Sequence, residues 1–124
     1  MTGSTQKKIL MVEDELDLCE IIQEFLSDYD WGVTPCQTLE EAAQLLMADD
    51  WALLLVDFHL AFSTTTELLN LNARTRKIPV ILMTGAPTAE TIQIDKSLYQ
   101  HLLVKPFSIR QLVDLLTTLE RKAP

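Results

Sequence analysis

With 124 residues, 48% of them hydrophobic and 23% charged, the chain has the size and composition of one globular domain, which excludes a disordered tail and a multidomain enzyme. Its longest apolar runs, Trp51 to Val56 and Pro79 to Met83, fall far short of the roughly 18 residues a membrane span requires. A formal net charge of -8 argues against nucleic acid as a direct partner, which would want a basic footprint.

The first eight residues are polar, with no apolar segment or small-residue cleavage site, and read as an extension ahead of a domain at 9–122. With neither signal sequence nor membrane span, the expected location is the cytoplasm. Ile9 to Val12 is a short continuous apolar run, the pattern of a strand buried on both faces of a parallel sheet. Leu16, Cys19, Ile22, Phe25 and Leu26 then recur at helical spacing and predict one buried stripe. Gly32 to Cys36 is a weaker strand, and Pro35, which cannot donate to a ladder, assigns it to a sheet edge.

Thr38 with Glu41 forms a capping box that opens a second helix carrying Leu39, Ala42, Ala43, Leu45 and Leu46. Trp51 to Val56 predicts the next strand, and Leu68, Leu69 and Leu71 a third helix. Val80 to Met83 is a fourth strand, Ile92, Ile94 and Leu98 suggest a poorer fourth helix, and Leu102 to Val104 a fifth strand. Past the Lys105-Pro106 break, Ser108 with Gln111 caps a last helix bearing Ile109, Leu112, Val113, Leu115, Leu116 and Leu119. Five strands alternating with five helices make a doubly wound α/β domain, in which ligands bind outside the carboxyl ends of the strands.

Charge is unevenly distributed. Between Lys8 and Arg74 fourteen acids occur without a single Lys or Arg, whereas from Arg74 onward eight bases face four acids. A solvated acidic face accounts for this, and so does a protein partner selected by charge. Cys19 and Cys36 form no metal-binding or redox pair and read as packed thiols.

The strand ends hold the chemistry: Glu13-Asp14, Asp57, Thr84-Gly85 and Lys105-Pro106. Carboxylates converging at neighbouring strand ends repel by up to about 4 kcal/mol per close pair at an effective dielectric near 20, so such a cluster wants a cation. An all-oxygen donor set with room for water and a phosphoryl group suits Mg²⁺. A carboxylate beside a metal, with a lysine and a hydroxyl on the same rim, is the equipment for covalent phosphoryl transfer to aspartate.

In the segments KKILMVEDE, LLLVDF, VILMTG and LLVKPF the sequence resembles the receiver domain of two-component response regulators over nearly its whole length. The resemblance implies a flavodoxin-like three-layer sandwich with strand order 2-1-3-4-5. It implies Asp57 as phosphoacceptor, Asp14 as a direct Mg²⁺ ligand, Glu13 as a second acidic partner acting through water, and the His59 backbone carbonyl as a further ligand. Thr84 becomes the switch hydroxyl, Lys105 the phosphate-sensing lysine, and Pro106 follows a cis peptide bond. The implied partners are a sensor histidine kinase or phosphotransfer protein, with a phosphorylation-dependent homodimer through the last strand and its flanking helices, near Lys96 and Arg110.

The sequence departs from the family in three places. FHLAFSTTTELL after Asp57 lacks the usual proline and glycine, no glycine precedes the final strand, and Leu102 stands where an aromatic is usual. Two other readings stay open, an unphosphorylated scaffold with a degenerate site and a haloacid-dehalogenase-like phosphatase, whose second aspartate would fall at His59. His59 and His101 also read as plain loop residues, and Trp31 and Trp51 as packing.

Overall fold

A computed structural model describes residues 7–60, 63–85 and 94–122. The apolar runs form strands β1 (Lys7–Val12), β2 (Trp31–Cys36) and β3 (Leu53–Asp57), and the helical patterns form α1 (Leu16–Ser27) and α2 (Leu39–Ala48). The chain continues through a short hairpin, β4 (His59–Leu60) and β5 (Ser63–Thr64), into α3 (Thr66–Arg74), β6 (Val80–Thr84), a 3-10 turn at Lys96–Leu98, β7 (His101–Val104) and α4 (Ile109–Lys122). The sheet runs β2-β1-β3-β6-β7, all parallel, which is the expected 2-1-3-4-5 order of its five strands.

Alternation along the strands builds two cores, one on each face. Leu10, Val12, Leu54, Val56 and Leu82 pack with Ala42 and Leu46 of α2 and Leu68 and Leu69 of α3. Ile9, Met11, Leu55, Ile81 and Met83 pack with Cys19, Ile22 and Leu26 of α1 and Leu112 and Leu116 of α4. Each such side chain contributes about 1.5–3 kcal/mol by leaving water.

Both predicted caps form. Thr38 Oγ1 accepts from the Glu41 N–H at 3.1 Å, while Ser108 and Gln111 exchange side-chain-to-backbone bonds at 3.1 and 2.8 Å. As expected, β2 is an edge strand. The Cys36 carbonyl turns inward to accept from the Glu13 N–H, so Val33 and Pro35 present their backbone groups outward, where Gln23 Nε2 donates to the Val33 carbonyl at 3.1 Å.

Several expectations are corrected. In α1 the buried stripe is Cys19, Ile22 and Leu26, while Leu16 and Phe25 are 59% and 50% exposed, because the sheet covers a narrower arc than the apolar pattern spans. Trp51 lies before β3 and is buried there with its indole N–H donated to the Leu45 carbonyl at 2.8 Å. Among the described residues there are four α-helices; of the helix expected between β6 and β7, Ile92 lies outside the described residues, Ile94 is buried and Leu98 belongs to the 3-10 turn. β1 begins at Lys7, inside the stretch read as an extension. The β4–β5 hairpin was not anticipated.

At the amino ends of the strands, buried Asn72 splints the passage from α3 into β6. Its side chain donates to the Ile78 carbonyl at 2.8 Å and accepts from the Ile78 N–H at 3.0 Å, and its own carbonyl takes the Lys77 N–H at 2.7 Å. On the same side of the sheet, Arg76 reaches the Asp49 carbonyl and Asp50 Oδ1 at 3.0 and 3.1 Å, and Lys8 pairs with Asp49 at 2.6 Å.

Candidate functional site

β1, β3, β6 and β7 lie side by side, so the residues that terminate them share one rim. Glu13 follows β1 fully buried, its N–H donated to the Cys36 carbonyl at 3.0 Å and its Oε2 accepting from the Glu15 N–H at 3.1 Å. Asp14, beside it, faces solvent. Asp57 closes β3 and is buried, with Oδ1 accepting from the His59 N–H at 3.3 Å. Thr84 closes β6, also buried, and its carbonyl accepts the Lys105 N–H at 2.7 Å. The Lys105-Pro106 peptide bond is cis.

Lys105 bridges the cluster. Its ammonium lies 2.6 Å from Glu13 Oε1, 3.6 Å from Asp57 Oδ2 and 3.8 Å from Glu15 Oε2. Burial disfavours that charge, but Glu13, Asp57 and Glu15 outweigh it and hold the ammonium pKa above its usual value. Burial also pushes the Glu13 carboxyl up to about 7, with the Asp57 charge adding to the shift and the Lys105 hydrogen bond opposing it. The site therefore keeps like charges together that would separate in water.

Glu13, Asp14 and Asp57 each place one carboxylate oxygen within 4.8 Å of the others, and among the described residues they are the one group of this kind. Three carboxylates against one ammonium leave an excess of negative charge, and an all-oxygen set matches a hard divalent cation such as Mg²⁺. His59 sits in β4 with its side chain exposed, in edge-to-face contact with Phe58 at 4.6 Å between ring centres. Buried Phe58 donates its N–H to the Met83 carbonyl at 2.8 Å, which fixes the hairpin against β6.

Glu15 is not among the candidates the sequence offers, yet it is the third carboxylate near Lys105, and Glu15 and Lys105 line a pocket of about 380 Å³ with Leu18, Pro106 and Phe107. The Cys19 thiol points at the Glu13 carbonyl across 3.7 Å, and burial pushes its pKa up to about 11. Cys19 is thus the packed thiol that the sequence predicts, on the buried stripe of α1. His101, Trp31 and Trp51 lie away from the rim: His101 opens β7, Trp31 opens β2 with Lys7 Nζ 5.5 Å from its ring centre, and Trp51 precedes β3.

The family model of the response regulator receiver domain matches residues 9–117. Among curated proteins, the regulatory protein VirG of Agrobacterium tumefaciens is 27% identical over 116 residues, covering 90% of this chain and 42% of VirG. The chain thus spans less than half the length of that relative. A Francisella response regulator receiver domain superposes with a TM-score of 0.83 at 22% identity, covering 94% of this chain and 98% of the other. The response regulator TrrA of Thermotoga maritima, solved in complex with Mg²⁺-BeF, superposes with a TM-score of 0.80 at 20% identity, covering 91% and 98%.

Proposed function

The chain belongs to the response regulator receiver domain family, and on that premise we propose that it takes a phosphoryl group onto Asp57 from a sensor histidine kinase or phosphotransfer protein and thereby switches a protein-binding surface. The observation that carries the reading is the position of Asp57: a buried strand-end carboxylate with one oxygen 3.3 Å from the His59 N–H and the other 3.6 Å from the Lys105 ammonium.

In the proposed step an Asp57 oxygen attacks phosphorus, the P–N bond of the phosphohistidine donor breaks, and its electron pair returns to the imidazole nitrogen. Little covalent chemistry falls to the protein, so placement of charge does the catalysis. Lys105 supplies positive charge to the transferring oxygens and the Thr84 hydroxyl a hydrogen bond to one of them. Mg²⁺ would be held by Glu13, Asp14 and Asp57, with the His59 carbonyl as a further donor, and would neutralise the same oxygens. The TrrA complex with Mg²⁺-BeF supports this choice of ion.

On this reading the chain takes up and slowly loses one phosphoryl group and turns over no separate substrate. It acts in the cytoplasm within 9–122, and the phosphorylated form pairs through β7 and its flanking helices. Intact-mass measurement after incubation with acetyl phosphate and Mg²⁺ is expected to show one added phosphoryl group. No adduct would leave the unphosphorylated scaffold, and continuous phosphate release from a small phosphoester would leave the phosphatase. Light scattering with a phosphoryl analogue tests the homodimer, which an unchanged mass overturns.

A further inference from the structure

Besides the exposed Leu16, Met47 and Val104, the described residues bring apolar side chains to the surface in two places outside the rim. On α1, Ile21 and Phe25, followed by Tyr29 just beyond the helix, are each about half exposed or more and stand among Asp17, Glu20, Glu24 and Asp28. The other place is a groove of about 760 Å³ between α2 and α3, with Leu39, Ala43 and Leu71 inside it and Glu40, Glu67 and Arg74 on its margin.

The marginal charges are ordered. α2 and α3 both connect parallel strands of one sheet, so both begin at the same end of the domain. Glu40 and Glu67, in their first turns, therefore flank one mouth of the groove, while Arg74, in the last turn of α3, marks the other. No Lys or Arg occurs between Lys8 and Arg74, so neither wall offers a cation nearer the acidic mouth.

We infer that this groove docks an amphipathic helix of a partner protein, apolar along one stripe, cationic at one end and anionic at the other. An apolar trough between two helices receives a third through anchors spaced i, i+3, i+4 and i+7. The two carboxylates select the cationic end and Arg74 the anionic end, which sets the mouth at which each end of the bound helix lies. A second copy of the chain is a poor occupant. Its exposed apolar stripe on α1 carries acids alone and would meet Glu40 and Glu67 as like charges. The inference concerns a face of the molecule that the phosphoacceptor reading does not use, and stands whether or not Asp57 is phosphorylated.

The test is a nuclear magnetic resonance titration of the ¹⁵N-labelled chain with two synthetic helical peptides sharing one leucine stripe, one with Lys at one end and Glu at the other, the second with Glu at both ends. The expected result is shifts centred on Leu39, Ala43 and Leu71, with binding roughly tenfold weaker for the peptide that lacks the cationic end. Ala43→Arg should abolish binding by filling the groove, and Glu67→Lys, at an exposed position, should narrow the difference between the peptides. Equal affinity for both, shifts centred on α1, no binding of either at millimolar concentration, or self-association that perturbs the same residues without peptide would each overturn the inference.

Discussion

The two ends of the sheet are built on opposite principles. At the amino ends, Asn72 satisfies both backbone groups of Ile78, and Arg76 and Lys8 tie the turn at Asp49 and Asp50 to its surroundings. At the carboxyl ends, Glu13, Asp57 and Glu15 are gathered around one ammonium with Asp14 beside them, and the cost shows in the raised Glu13 pKa. One end spends its polar groups on holding the chain together; the other keeps them in mutual conflict that a divalent cation would relieve. Substitutions should therefore separate stability from chemistry according to the end they fall on.

Asp57→Asn gives the largest expected effect, complete loss of phosphoryl uptake by intact mass, while the melting temperature holds or rises because one repelling charge is gone. An adduct of undiminished yield on this variant would move the acceptor elsewhere. At the other end, Asn72→Ala leaves the Ile78 N–H and carbonyl without partners, and urea denaturation should show a loss of about 2–4 kcal/mol. Phosphoryl uptake should persist in that variant below its midpoint; if it vanished together with stability, the two ends would not be separable.

Mg²⁺ sharpens the comparison. At a hundredfold excess over its dissociation constant it should stabilise the wild type by about 2.7 kcal/mol, read from denaturant or thermal curves. Asp14→Ala should abolish this response and raise the stability of the metal-free protein; a wild type indifferent to Mg²⁺ would remove the carboxylate cluster as a cation site. The smallest effect belongs to Lys8→Met, which cuts a solvent-exposed pair with Asp49 and should leave the urea midpoint within experimental error. A clear drop there would mean that the exposed tie does more than its screening permits.

How much of this was legible in the sequence depended on whether local pattern or distant contact decided the matter. The buried strands announced themselves as continuous apolar runs, and each of the four central runs led into a residue of the candidate site, so the rim could be assembled from order alone. The hairpin could not, because FHLAFSTTT contains none of the Gly or Asn by which tight turns are recognised. The face of α1 was misjudged at Leu16 and Phe25 because helical periodicity fixes a stripe but not the width of the surface that will cover it. The shortest link in the site, Lys105 to Glu13, joins residues 92 apart in sequence and had no local signature at all.

The outer margin of β2 has a consequence for how the protein behaves in a crowd. An edge strand normally offers a row of alternating donors and acceptors, a template on which another chain can crystallise as a further strand. Here Pro35 deletes a donor from that row and the Gln23 side chain has already claimed the Val33 acceptor. Two groups of the row are thus withdrawn, so concentrated protein should be slower to grow fibrils from β2 than the variant in which Pro35→Thr and Gln23→Ala restore them.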